Sequence, residues 1–347
     1  MAARKEIVCK VVSEGMSVSK ALAIAEVPRS SYYYRTNGKR RGKAPSTHTM
    51  KGDIMVENTA VVEEINSMLA EEFIDYGYER TTAELKNRGY QINKKKVYRL
   101  MKETSLLFPK FKIKASGRSF VKFTVPLVTK PFETIEIDFK YIYIEGLKRH
   151  AYLITMLDVF SRAALVWELN ITMKASDAVR LVGKLIADWI PEPKKLSVKI
   201  RTDNGSQFIA ENFRNCLQKV GISNEYTHPG TPEQNAHIES FHNTLDRLVC
   251  SRYSFDTVQM AQEILDRFFF VYNQKRIMKS ILYMAPMEFL KQWSEGKISS
   301  KKEKRRIKYF LREKPTEHKS GGLPPDTFFL QSKNSQIFSN FINHHSI

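Results

Sequence analysis

Apolar and polar positions change their period along the chain. Over residues 4–35, Ile7, Val8, Val11 and Val12, then Val18, Ala21, Leu22 and Ala25, recur at helical spacing on either side of Gly15. Short helices about a glycine turn predict a helix-turn-helix over 1–36. The next residues are polar, basic and rich in turn formers, so 37–57 reads as a linker. A second helix-turn-helix is expected over 58–104. In it, Thr81-Thr82-Ala83-Glu84 reads as a capping box with Thr81 as the cap. Gly89 should stop that helix. Asn93 should cap the next one, NKKKVYRLMKET, whose apolar face is Val97, Leu100 and Met101.

Residues 105–129 read as another linker, and from about 130 the pattern becomes that of strands. TIEIDFKYIYIEG, RHAYLITMLDVF and RAALVWELN are rich in β-branched and aromatic residues, with a turn at Glu145-Gly146. Lys174 to Trp189 has a helical apolar face of Ala178, Leu181, Val182, Leu185 and Ile186. LSVKIRTD is a strand again, Phe208 to Val220 a helix, GISNEYT a short strand, and Thr231 to Cys250 a long helix. Three strands followed by helix, strand, helix, strand and helix make a mixed α/β core over 130–293. Helices near 256–274 and 285–293 close it. Residues 294–347 read as a basic tail, KISSKKEKRRIKYFLREK being its most charged stretch.

Charge changes the picture. Fifty-six Lys and Arg against thirty-seven Asp and Glu give a net +19, which points to a polyanion, nucleic acid before an anionic membrane. No apolar run is long enough to span a membrane. Three scattered cysteines form neither a disulfide framework nor a CxxC site, and a reducing cytosol suits them. Lys95, Arg99 and Lys102 fall at i, i+4 and i+7 of one helix, with Lys94 at its start, and are candidates to neutralise DNA phosphates. No glycine loop for a nucleotide phosphate is present.

Three acids are placed where chemistry could use them. Asp138 lies inside the apolar strand IEIDF, where a carboxylate needs a partner, a metal or an exposed face. Asp203 ends a strand and opens Asn204-Gly205, which is also ordinary turn chemistry. Glu239 shares a helix face with Asn235, Asn243 and Asp246, beside the apolar Ile238, Phe241, Leu245 and Leu248. Acids converging from different elements could hold two Mg²⁺ ions about 4 Å apart around a phosphodiester. His237, Glu239 and His242 lack the spacing of a zinc helix, and the first hundred residues show no HHCC module. Tyr32, Tyr33 and Tyr34 suit packing of a small helical unit better than base stacking.

IEIDFKYI, RTDNGSQF and HPGTPEQNAHIESFHNTL, with thirty-five residues between Asp203 and Glu239, resemble the OrfB-type DDE transposases of bacterial insertion sequences. DYGYERTTAELKNRGYQINKKKVYRLMKE, VPRSSYYY and YNQKRIMKSILYMAPMEF extend the resemblance from about residue 5 to 293. It implies an α/β core of the retroviral-integrase type: a ribonuclease-H-like mixed five-stranded sheet with flanking helices, preceded by all-α helix-turn-helix units. It implies two Mg²⁺ or Mn²⁺ ions on Asp138, Asp203 and Glu239, with Asp138 bridging both, Asp203 holding one and Glu239 the other. The activity implied is cleavage at element ends, freeing 3′-hydroxyls, then strand transfer into target DNA. The implied partners are the terminal repeats and target, both double-stranded DNA, bound by a homo-oligomer in the bacterial cytosol at the nucleoid. Asn235 matches a motif asparagine and is a candidate to orient Glu239 or touch DNA. Asp158, followed by Ser161-Arg162, reads as an acid of the fold. Ile135 stands where the family often has tryptophan, and Ile277-Met278 where it often has Pro-His. The alternatives are a non-catalytic DNA-binding repressor derived from such an element and a nuclease without strand transfer.

Overall fold

The computed structural model describes residues 2–33, 45–108, 127–228, 232–303 and 306–312. Expectations about 37–44, 109–126, Tyr34, Pro229, Gly230, Thr231 and the end from 313 lie outside the described residues. The chain divides into two compact units, 1–47 and 48–347. In the first, α1 (Ala2–Ser13), α2 (Val18–Ile24) and α3 (Arg29–Tyr33) enclose Val8, Ala21, Leu22 and Val27. Gly15 takes φ +100° between α1 and α2, a conformation that a β-carbon resists. Tyr32 packs against this core, and Tyr33 is exposed.

The second unit begins inside the segment expected to be linker. β1 (His48–Lys51) and β2 (Ile54–Glu57) form an antiparallel hairpin, and β1 also pairs with the later β3 (Tyr90–Gln91). Between them lie α4 (Asn58–Ala70) and α5 (Tyr78–Asn87), and α6 (Lys94–Glu103) follows. The start of α6 is as read: the Asn93 side chain accepts from the Lys96 amide at 3.0 Å, and Val97, Leu100 and Met101 are buried. The start of α5 is not. Its cap position is Gly77, and Thr81 is a buried helical residue whose hydroxyl donates to the Gly77 carbonyl. Glu84 reaches forward to Arg88 at 3.1 Å instead of back. Thr81 faces the core here, so it is not free to cap.

A five-stranded sheet with order β6-β5-β4-β7-β8 forms the centre of this unit. β4 (Thr134–Ile144), β5 (Arg149–Asp158) and β6 (Ala164–Asn170) are antiparallel. β7 (Lys199–Thr202) and β8 (Ser223–Tyr226) add in parallel on the other side of β4. This is the mixed ribonuclease-H-like sheet, central strand first. α7 (Ala175–Asp188) covers one face with Ala178, Leu181, Val182 and Leu185, against Ile135 and Ile137 of β4. The short α8 (Pro193–Leu196) leads into β7. The helix expected from Phe208 to Val220 is two pieces, α9 (Ser206–Ile209) and α10 (Glu211–Val220), broken at Ala210.

The long helix expected from Thr231 is also segmented. A 3₁₀ turn (Pro232–Asn235) leads into α11 (Ala236–Leu245), which ends in a π turn (Asp246–Cys250). α11 and α12 (Val258–Gln274) cover the second sheet face, and their apolar side chains share one core with α4, α5 and α6. Trp167 of β6 stacks on Phe269 of α12 at 4.3 Å. Asn273 of α12 donates to the Ala164 carbonyl at 2.8 Å and accepts from the Ala164 amide at 3.0 Å.

Two sequence motifs that look separate are halves of one contact. Arg276 is buried, 2.7 Å from Asp75, and donates to the Phe73 carbonyl. Arg247 meets the other oxygen of Asp75 at 2.6 Å. The Tyr76 hydroxyl donates to the Lys275 carbonyl and accepts from the Ile277 amide. After α13 (Pro286–Ser294), the segment expected to be a tail contains the hairpin β9 (Ile298–Glu303) and β10 (Arg306–Leu311). Tyr309 anchors it against Phe160 and Phe289, and Lys301 stands opposite Lys308.

Candidate active site

The register of β4 and β7 bears on where the first two acids lie. β4 and β7 pair Thr134 with Lys199, Ile135 with Ile200 and Glu136 with Arg201, an offset of 201 − 136 = 65. The separation 203 − 138 is also 65, so Asp203, one residue past the end of β7, continues the step that leads to Asp138. Neighbouring strands lie about 4.8 Å apart, so this register, carried two residues past its last pair, would set the two acids on adjacent strand lines. Period-two alternation puts Asp138 on the same face as Glu136, the face covered by α11.

Each acid has a local reason for its place. Asp138 is partly buried in mid-strand, and its Oδ1 accepts from the Phe139 amide at 2.8 Å. Asp203 forms an Asx turn, its Oδ1 accepting from the Gly205 amide at 2.9 Å. A β-carbon on Gly205 would press on the Gln207 side-chain amide and lie 2.9 Å from that same oxygen, so one of these side chains would have to shift. Asn204 holds the turn by donating to the Thr227 carbonyl at 2.8 Å. Glu239 sits in the first turn of α11 and is partly exposed.

Their electrostatics show an excess of negative charge. Burial raises the Asp138 carboxyl to about 7, and the charges of Asp203 and Glu239 push it the same way. The Phe139 amide and Lys140 oppose this, but Lys140 is already engaged with Asp246 at 2.7 Å. Burial raises Glu239 as well. The nearby histidines add no positive charge near neutral pH. Burial and neighbouring cations lower His237 to about 3 and His242 to about 4. His242 Nδ1 is 3.5 Å from the Asp138 carboxylate.

A carboxyl raised by burial and by the charges of two neighbouring acids, with Lys140 already engaged by Asp246, belongs to a donor set suited to a hard divalent cation. Asp138, Asp203 and Glu239 are the residues that would hold it. They do not close into a finished cage: among the described residues, no three His, Cys, Asp or Glu side chains converge closely enough to grip an ion.

The other candidates are placed as follows. Lys94, Lys95 and Lys102 are exposed on α6, and Arg99 is half-buried. Asn235 is buried just ahead of α11, with its Oδ1 unpartnered among the described residues. Asp158 is fully buried and accepts from the Phe132 and Ser161 amides and the Ser161 hydroxyl, a structural knot that matches its reading as an acid of the fold. Sequence reasoning missed Glu136 and Arg201. Glu136 is completely buried, and its Oε2 accepts from the Ile238 amide at 2.7 Å. Its Oε1 accepts from Arg201 at 3.3 Å. The signal was present, because the burial argument made for Asp138 in TIEIDF applies equally to the acid two residues earlier.

Comparison with known proteins gives this architecture a class. Two models described as "Integrase core domain" match residues 128–232 and 220–286, and an "HTH-like domain" matches 57–110. The chain carries an integrase core domain preceded by an HTH-like domain. It is similar to the transposase for insertion sequence element IS904 of Lactococcus lactis subsp. lactis (strain IL1403), at 28% identity over 70% of this chain and 98% of that one. It is also similar to the putative transposase InsK for insertion sequence element IS150 of Escherichia coli (strain K12), at 26% identity over 79% of this chain and 94% of that one. The HTLV-2 integrase catalytic core domain in complex with magnesium aligns at 18% identity and TM-score 0.34, over 46% of this chain and 96% of that one.

Proposed function

We propose that this chain is a DNA transposase acting through Asp138, Asp203 and Glu239. The integrase core domain and the insertion sequence relatives support a DNA transposase. The observation that supports the finer reading is the shared 65-residue offset: the register that pairs Glu136 with Arg201, carried two residues further, would align Asp138 with Asp203, and Glu239 lies one residue past the Ile238 amide that meets Glu136. The chemistry is two phosphoryl transfers. Water attacks the phosphodiester at the element end, leaving a 3′-hydroxyl on the element and a 5′-phosphate on the flanking strand, and that hydroxyl then attacks a phosphodiester of the target, expelling a target 3′-hydroxyl. Two Mg²⁺ or Mn²⁺ ions on the three acids would neutralise the phosphate charge that accumulates in both transfers.

The remaining residues of this chain bind and orient. Lys94, Lys95, Arg99 and Lys102 on α6 contact phosphates of the terminal repeats, as the net charge of +19 favours. Asn235, being buried at the entrance to α11, orients Glu239 rather than touching DNA. Two DNA ends are paired by a homo-oligomer. A strand-transfer assay with labelled element ends tests this reading: cleaved 3′ ends joined to a second duplex support it, while binding without cleavage, or cleavage without joining, replaces it with a repressor or a nuclease.

A further inference from the structure

Glu136 stands at the meeting point of the three elements that carry the acids. It lies two residues before Asp138 on β4 and directly across from Arg201, which lies two residues before Asp203. Its other oxygen takes the Ile238 amide, one residue before Glu239. Arg201 extends the contact, reaching Glu225 of β8 at 3.0 Å and donating to the Gln234 carbonyl at 3.0 Å in the turn before α11. The Glu136 side chain is 0% and the Arg201 side chain 4% exposed, so neither is held by water.

A buried ion pair contributes little net stability, since apolar residues of similar volume often serve as well. What this pair supplies is distance. A strand carboxylate that bonds both the next strand's side chain and a helix amide fixes strand to strand and helix to sheet at one point. We propose that Glu136 is a positioning residue, and that its bonds to Arg201 and to the Ile238 amide set the separation of Asp138, Asp203 and Glu239. This rests on the site read above. Residues that orient ligating side chains typically change metal affinity by about 10–100-fold when removed.

The test uses the full chain as Glu136→Gln and as Arg201→Met, beside the parent and Asp203→Asn. Glu136→Gln keeps an oxygen for the Ile238 amide but turns an amide donor toward Arg201. Arg201→Met removes the guanidinium and keeps most of the volume. Mn²⁺ binding is measured by titration calorimetry, and amide exchange is followed across residues 236–240. Both variants should bind Mn²⁺ about tenfold or more weakly than the parent, with faster exchange confined to the first turn of α11. A folded variant that matches the parent in both measurements overturns the proposal. If one variant does not fold, the other decides. If the parent itself takes up no Mn²⁺, the metal reading of the site falls, and exchange alone decides the tether: acceleration at 236–240 supports it, and parental exchange overturns it.

Discussion

Two clusters of charge in the second unit are built on opposite terms. Around Asp75, one carboxylate receives two guanidinium groups, Arg276 at 2.7 Å and Arg247 at 2.6 Å, so opposite charges meet. Around Asp138, burial and the charges of Asp203 and Glu239 raise the carboxyl to about 7, Lys140 is engaged by Asp246, and both histidines are neutral near pH 7. The first cluster clasps the HTH-like region to α12. A carboxylate among guanidinium groups has its counter-charge within the chain, whereas a buried carboxyl beside other acids is the kind of group that a cation from outside would stabilise.

The sharpest way to break this contrast is to neutralise members of the second cluster. Asp138→Asn, Asp203→Asn or Glu239→Gln should lower strand transfer by on the order of 10³-fold, leave DNA binding intact, and leave the melting temperature unchanged or higher without divalent ions. A variant that still joins DNA removes that acid from the mechanism. In the Asp75 cluster the outcome should reverse. Arg276→Ala leaves Asp75 buried with a partly exposed partner, and chemical denaturation should show a loss of about 3–5 kcal/mol.

Smaller effects sharpen the picture. Replacing Lys94, Lys95 and Lys102 together by alanine should make the slope of log affinity against log salt shallower by about 0.9 for each phosphate no longer neutralised, with no change in melting. An unchanged slope would take α6 off the DNA. The weakest effect concerns Glu64, which lies 2.7 Å from Arg88 and is lowered from its ordinary carboxylate value first by that hydrogen bond. A lowered folded value means stability that is present above the unfolded value and is lost as pH falls through the folded one. Glu64→Gln should therefore flatten the acid side of the stability curve by no more than about 1 kcal/mol; an equally steep curve would show that the pair contributes nothing.

What could be read from the sequence follows from how local each signal is. α7 was legible almost to the residue, because Ala178, Leu181, Val182 and Leu185 repeat at helical spacing and all are buried. The strands of the sheet were legible from runs of β-branched and aromatic residues. The hairpin of β1 and β2 was not: of its eight strand residues, Thr49 is the buried one, so no alternation marks it. β9 and β10 were hidden by lysine and arginine, their anchoring resting on Ile298 and Tyr309. Thr81 had the sequence of a cap but the position of a core residue. The acids could be nominated from their motifs, but the pairing of Glu136 with Arg201 depends on a strand register that joins residues 65 apart, and no local pattern encodes it.

The two hydrogen bonds between Asn273 and Ala164 bear on how the molecule behaves in a crowded solution. β6 is the outer strand of its sheet, and an outer strand offers unpaired amides and carbonyls to any passing chain. The carboxamide of Asn273 fills one such pair of valences as a single peptide unit would, a one-residue sham strand lent by a helix. At that point the ladder ends on the protein's own side chain, and an incoming peptide has nothing there to zip onto.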